Sequence, residues 1–556
     1  MRNRWIWGTL GALAATALIG CSDQPYDPGA PAVDPNAPRV HITRPARGTF
    51  AGDVKTLVVT GTATDDDRVT QVEVNGVAAT LAGDGTWTAT IPVAPGTQLI
   101  HAIARDAQGN VGKESRAVIA GPVRPIGAAV PRAITAAISA QTFDAIGRGV
   151  TSFLQTGDLA ASLAAQNPVI DVGGGPSCNY VQGTITHMTV GSATRVTLAA
   201  RNGGLGLDLE LDQVAVDMHL RYAALCADGS RDIAVRASHI QLTGVIGVGI
   251  TGGAFDIQLV DPSVHVTGFA VDLGRVPGDI VKLLHLDTTL ATLITWAAEH
   301  LVVPVLDTAL AGLDDTRTVD VLGTPVDLRV APAWIAFDPG GAVIELDTTL
   351  RAHGDAASPG YVFLANQLPE MSTDRGFTLA VADDAANQLL GSYWAARGMD
   401  RTFDLTTGNY GELGKLYDRV ELSAQVPPFV AAAGGALRLT LGDLVATFRN
   451  GDAVATAIAV SAQVDVKVVT GPDGRPRLDV GTPITYVDVL DEAVDGANVL
   501  SNAQFEVITS FALARVIAFA SGSIGALPLP SLGGVAVHDL AIAEQTGYLV
   551  IAGDVQ

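Results

Sequence analysis

The chain has 556 residues, 48% of them hydrophobic and 16% charged, with a formal net charge of −23. That length allows three or four domains with ample core. The charge argues against nucleic acid and against a basic grip on anionic lipid headgroups. Ten scattered histidines and three cysteines show no zinc spacing.

The chain opens MRNRWIWGTLGALAATALIGC. Arg2 and Arg4 precede an apolar stretch from Ile6 to Ile19, too short to span a bilayer and typical of an export signal over residues 1–20. Leu18-Ile19-Gly20-Cys21 resembles the lipobox of bacterial lipoproteins. That resemblance implies a lipid anchor on Cys21. With Ser22 next, it implies export and anchoring at the outer membrane, on its periplasmic face or at the cell surface. An uncleaved anchor is the alternative. Residues 21–38 carry Pro25, Pro28, Pro31, Pro35 and Pro38 and predict a stiff extended tether.

Residues 39–121 predict an immunoglobulin-like β-sandwich. Strands are expected at Val40–Thr43, Thr56–Ala63, Val69–Val74, Val77–Leu81, Thr86–Ile91 and Gln98–Arg105. Asn75-Gly76 and Asp84-Gly85 are hairpin signals. With the closing Asp106–Gly112 run, this order resembles bacterial modules of the glucodextranase-B type. Asp65, Asp66 and Asp67 could hold calcium, but a solvated acidic loop is the simpler reading. Residues 122–132, with Pro122, Pro125 and Pro131, predict a linker.

From residue 133 the pattern is a short strand, then Ser139 as N-cap, then Phe143, Ile146, Val150 and Phe153 at helical spacing. Next comes Gly204–Tyr222, where Leu205, Leu207, Leu209 and Leu211 alternate with Gly206, Asp208, Glu210 and Asp212. After Gln213 the apolar phase moves to Val214, Val216, Met218, Leu220 and Tyr222. Period two predicts a strand, its length predicts coiling, and the slip predicts a β-bulge. A second apolar helix is expected over residues 279–313, with Leu293 and Ile294, broken near Pro304. Its Leu293–Leu313 part comes closest to a membrane span, but Glu299, His300, Pro304 and Asp307 interrupt it. In an oxidising compartment Cys178 and Cys226 are expected to pair, two free buried thiols being the alternative.

A weak internal repeat follows. Ile138–Ile146 and Val381–Leu389 both read as strand running into helix, the second leading on to Leu390 and Tyr393. The second half closes on a helix over 497–520, with Phe505, Ile508 and Phe511. Two strand pairs between them, 332–346 and 428–439, read as related.

In this order, ITAAISAQTFDAI, GLGLDLELDQVAVDMHLRY, FTLAVADDAANQLLGSYWAARG, SAQVPPFV and the terminal LPLPSLGGVAVHDLAIAEQTGYLVIAGDV resemble the family of bactericidal/permeability-increasing protein, lipopolysaccharide-binding protein and plasma lipid-transfer proteins, within the tubular lipid-binding superfamily. The resemblance implies an α+β fold with two pseudo-repeated curved barrels, each wrapping helices. They would occupy 133–325 and 376–556, joined by a central sheet at 326–375. It implies acyl chains held against Phe143, Ile146, Val150, Leu293 and Ile294 in the first barrel, and against Leu389, Leu390, Tyr393, Phe505, Ile508 and Phe511 in the second. Two departures stand out. The family's usual disulfide reaches the long helix, which has no cysteine here. The family's lipopolysaccharide binders carry a basic first barrel, whereas this chain is acidic.

No G-x-S-x-G, H-E-x-x-H or P-loop occurs. His187, His219 and His239 read as wet-face strand residues. No enzyme, cofactor or metal is expected. The expected partner is phospholipid or another acyl lipid in two apolar tunnels, bound or transferred at the cell envelope. The rival is a structural or adhesive surface lipoprotein whose barrels are filled by their own side chains and whose sandwich meets a surface partner. A lipid esterase ranks last.

Overall fold

A computed structural model describes residues 36–555 apart from 165–166, 174–177, 225, 274–275, 277–312, 314, 355–357, 408–409, 411–412, 434–435, 471–475, 491–507, 509–536 and 546. The signal, Cys21, Leu293, Ile294, Phe505, Phe511 and the LPLP run lie outside the described residues. The described chain is mostly β, with few helices beside the sheets of the expected α+β fold. Among the described residues no helix is long and apolar enough to cross a membrane.

The sandwich comprises β1 (Arg39–Arg44), β2 (Thr56–Thr64), β3 (Val69–Val74), β4 (Val77–Ala78), β5 (Thr80–Leu81), β6 (Thr86–Pro92), β7 (Gly96–Asp106) and β8 (Val111–Ala120). They form two sheets, β1-β2-β6-β5 and β4-β3-β7-β8. Alternation sends Ile42, Val59 and Trp87 from one sheet and Val72, Ile100 and Val118 from the other into one core. Asn75 and Gly76 turn the β3–β4 hairpin with φ of +49° and +78°, the conformation that favours Asn-Gly. β8 goes beyond the strands expected from sequence. Its polar Lys113, Glu114 and Arg116 obscure the alternation, and Glu114 is neutralised by Arg116 at 2.8 Å.

In place of a free linker, β9 (Val123–Arg124) pairs with β21 (Tyr361–Val362), and β10 (Val130–Ser139) enters the central sheet. β10 runs into α1 (Ala140–Thr156). Ser139 caps it, its side chain accepting from the Thr142 N–H at 3.2 Å. After α2 (Leu159–Leu163) come β11 (Ile170–Val172), β12 (Tyr180–Thr189), β13 (Arg195–Arg201), β14 (Gly204–Ala224), β15 (Ala227–Thr251), β16 (Ala254–Thr267) and β17 (Ala270–Asp272). They make the first sheet, β11-β12-β14-β15-β16, with β13 on β14 and β17 on β15.

The phase slip in β14 falls at Gln213, whose φ is +47°. It is not the expected two-against-one bulge. Asp212 opposes His239 and Val214 opposes Ala237, so Gln213 and Ser238 leave the ladder together. Both strands thereby change face without losing register, and on its other side β14 exchanges β13 for β12. Beyond the kink, Met218, Leu220 and Tyr222 join a separate core with Ile170, Val181 and Ile233. The Cys178–Cys226 disulfide ties the entry to β12 to the β14–β15 turn. It closes a loop of 48 residues. Reduction is expected to cost ~2–4 kcal/mol, read as a lower melting temperature with reductant than without.

The remaining elements are β18 (Asp315–Val321), β19 (Thr324–Asp338), β20 (Gly341–Ala352), β22 (Phe377–Ala382), α3 (Asp383–Ala395), β23 (Arg401–Asp404), α4 (Leu413–Leu416), β24 (Arg419–Ala424), β25 (Phe429–Ala433), β26 (Ala436–Asn450), β27 (Ala453–Thr470), β28 (Pro476–Val480), β29 (Ile484–Val489), β30 (Val537–Gln545) and β31 (Tyr548–Val555). The second sheet runs β23-β24-β26-β27-β28, with β25 on β26 and β29 on β27, the same order as the first. Both are open paths among the described residues. Between them lies β18-β19-β20-β10-β22-β31-β30.

This central sheet differs from the block expected at 326–375. It takes β19 and β20 from there, but also both strands that feed helices, and the chain end. The feeding strands β10 and β22 are antiparallel neighbours, Ile134 opposite Val381 and Ile138 opposite Phe377. The strand pairs 332–346 and 428–439 are not equivalent. The first is the β19–β20 hairpin of the central sheet, and the second is β25–β26 of the second sheet.

Candidate functional site

The inner face of the first sheet is the candidate site. α1 lies against β13 at Gly147, where a Cβ would press on the Val196 carbonyl. Thr151 accepts the Val196 N–H at 2.8 Å. Phe143 and Val150 are 4% and 3% exposed and belong to the same core as Leu205, Leu207, Leu209 and Leu242, with Ile146 half-buried against that core. Phe153, expected on this stripe, is instead 39% exposed, and Leu154 is buried in its place. α1 therefore fills its own end of the sheet. On β16, Phe255, Ile257, Leu259, Val264 and Val266 pack on the same core but are only partly buried. This is an apolar wall with some of its surface uncovered.

α3 departs from the expected lining role. Leu389 joins the first core, Leu390 a cluster with Val430, Val464 and Ile551, and Tyr393 the core of the second unit. Ile508 is buried in that last core as well. These residues do not line one tunnel together. Helix α3 is buried on nearly every side, so its polar side chains must find partners inside the protein.

They do so by taking up strand and loop backbone. Asp384 accepts from the N–H groups of Leu364 at 2.7 Å and Ala365 at 3.2 Å. Asp383 accepts from Ala432 N–H at 3.1 Å and from Asn366 at 2.6 Å. Asn387 makes two bonds with the Val430 backbone, Gln388 accepts from Leu350 N–H, and Ser392 accepts from Ala352 N–H. One helix thus fastens β20, the segment after β21, and β25. Burial pushes the Asp383 carboxyl up to about 7 and also raises that of Asp384, against the donors that stabilise its anion. The sequence signal for this junction was the set of polar residues Asp383, Asp384, Asn387, Gln388 and Ser392 among leucines and alanines.

The other chemical candidates are polar surfaces. Asp65, Asp66, Asp67 and Asp106 line a cleft of about 490 Å³ at the sandwich end. Asp65 there accepts from the Asp67 N–H at 2.9 Å, and Gln108 donates to Asp67. Among the described residues no group of three His, Cys, Asp or Glu is placed to hold a metal. A cleft of about 560 Å³ lies on the first sheet between Arg201, Asp208 and Asp261. His219 is paired with Asp232 at 2.7 Å across the β14–β15 ladder.

Residues 38–121 match the family model described as glucodextranase, domain B, so the sandwich is similar to that immunoglobulin-like module. Comparison with curated protein sequences finds no match. Among solved structures the chain is similar to the crystal structure of lipopolysaccharide binding protein, at 13% identity and a TM-score of 0.33, covering 77% of this chain and 99% of that one. It is also similar to P47 from Clostridium botulinum A2, at 8% identity and a TM-score of 0.25, covering 76% of this chain and 96% of that one.

Proposed function

We propose that the chain is a non-catalytic lipid-binding protein of the cell envelope, exported by its N-terminal signal and anchored through Cys21. The observation that carries this reading is the partly uncovered apolar wall of β16, continuous with the buried leucines of β14 and β15. Each CH₂ removed from water contributes ~0.8 kcal/mol. An acyl chain laid along Ile257, Leu259, Val264 and Val266 therefore gains without any polar group. A lining as apolar as a bilayer makes exchange with membranes nearly neutral, which suits a carrier. The rival structural reading has its own support in the dense seating of α1 on β13, which leaves that end filled.

Extraction of the soluble form lacking residues 1–21 separates the two. A carrier yields phospholipid or another acyl lipid in the organic phase, about one molecule per apolar unit. Val264→Trp, which extends a half-buried side chain across the wall, should lower that yield at least twofold while circular dichroism stays unchanged. Lipid-free protein from detergent-free preparations would favour the structural reading.

A further inference from the structure

The sandwich does not hang from the body by a linker. β7 and β8 lie against β26 and β29, with Leu99, Ala117 and Ile119 packed on Val426, Phe429 and Val362. Buried hydrogen bonds cross the contact. Thr97 donates to the Pro427 carbonyl at 3.0 Å, and Asp443 accepts the Ala117 N–H at 2.8 Å. His101 stacks on Tyr486 with ring centroids 3.7 Å apart. Arg47 reaches from the β1–β2 loop to Asp443 at 2.8 Å and to Asp488, with Glu114 of its own module 3.8 Å away. Asp443 is only 1% exposed, so in the absence of Arg47 its charge would be costly.

Two further features have no use unless the contact is permanent. A Cβ on Gly442 would overlap Ala117 and Thr97, and one on Gly96 would overlap the Phe429 ring. Each part is thus cut back to bare backbone where the other approaches. Asp443 itself sits at φ +42°, in a break of the β26–β27 register between Leu441 and Leu444, its N–H held by Ser461 at 3.0 Å. That irregularity turns its carboxylate out of the second sheet and onto the sandwich.

We propose that the outer surface of the second sheet is a built receptor for residues 38–121 of the same chain. The module is a fixed brace, and the face of β7 and β8 that meets the body is closed to outside partners. Any external ligand of the module would have to use its other surfaces, among them the β1-β2-β6-β5 sheet and the acidic cleft at Asp65–Asp67 and Asp106. The direction in which the chain leaves residue 38 is set by the body.

Hydrogen exchange on the full chain tests this, read on peptides covering 95–99 and 115–119 in the module and 426–430 and 441–445 in the body. In the wild type these amides are expected to exchange as slowly as the cores on either side. Gly442→Leu should speed exchange at least tenfold on both sides of the contact while leaving β2 and β14 unchanged. Thr97→Arg, made from the module side, should give the same paired effect. Small-angle scattering of the wild type should fit one rigid arrangement. Wild-type contact amides exchanging as fast as the exposed 107–110 turn, or scattering that demands a spread of module positions, would overturn the proposal whether or not the variants fold.

Discussion

Asp384→Ala is expected to cost the fold about 2–3 kcal/mol, because it takes the buried acceptor from two part-buried backbone donors, each at the low end of ~1–3 kcal/mol. The donors are Leu364 N–H and Ala365 N–H, and the carboxylate that receives them is 2% exposed. Ala365 has a φ of +54°, so the chain there holds an unfavourable conformation that the carboxylate supports. Asp384→Asn retains one acceptor oxygen and removes a charge that burial disfavours. Its loss should be smaller, ~1 kcal/mol. Urea unfolding at pH 7 measures both. A loss under 1 kcal/mol for the alanine variant would mean that α3 is held by its apolar contacts alone.

How far the sequence carries can be judged from this helix and from β14. In β14 the apolar partners lie two residues apart, so the leucines from Leu205 to Leu211 announce a strand. The phase change likewise marks Gln213 to the residue. The Ser139 cap is legible for the same reason, since donor and acceptor are three residues apart. In α3 the partners lie 17 to 260 residues away in the chain, from Asp383 and Asn366 to Gln388 and the Ala128 carbonyl. No spacing encodes that. Leu389, Leu390 and Tyr393 therefore suggested a common lining, although a helix buried all round sends them into three different cores. The docking of the sandwich was hidden similarly. Arg47 and Asp443 are 396 residues apart, and Gly442 reads as an ordinary turn glycine until Ala117 is set against it.

Stability should rise as the solution is taken from pH 8 toward pH 5, the reverse of a fold held by charged carboxylates. Burial pushes Asp383 and Asp488 up to about 7, from an ordinary 3.8. For Asp488, Arg47 opposes the shift, while Glu114 and Asp443 add to it. The folded state therefore holds two protons that the unfolded chain releases, over the window from about pH 4 to 7. Unfolding becomes easier as pH rises through that window and levels off above it. His101 acts the other way. Burial against Tyr486 lowers it to about 4, so below pH 6.5 the unfolded chain takes up a proton that the folded one refuses. The balance of these three groups between pH 4 and 6.5 is about one proton in favour of the fold, or ~1.4 kcal/mol per pH unit, and the upward shifts of Asp384 and Asp443 add to it. Urea midpoints measured from pH 8 to 5 should climb accordingly, and His101→Phe should steepen the climb. Asp383→Asn should flatten it by about one proton, since the amide cannot ionise. A midpoint that stays level or falls on acidification to pH 5 would show that these carboxyls remain ionised in the folded protein, Asp488 held by the Arg47 guanidinium and Asp383 by the Asn366 and Ala432 donors.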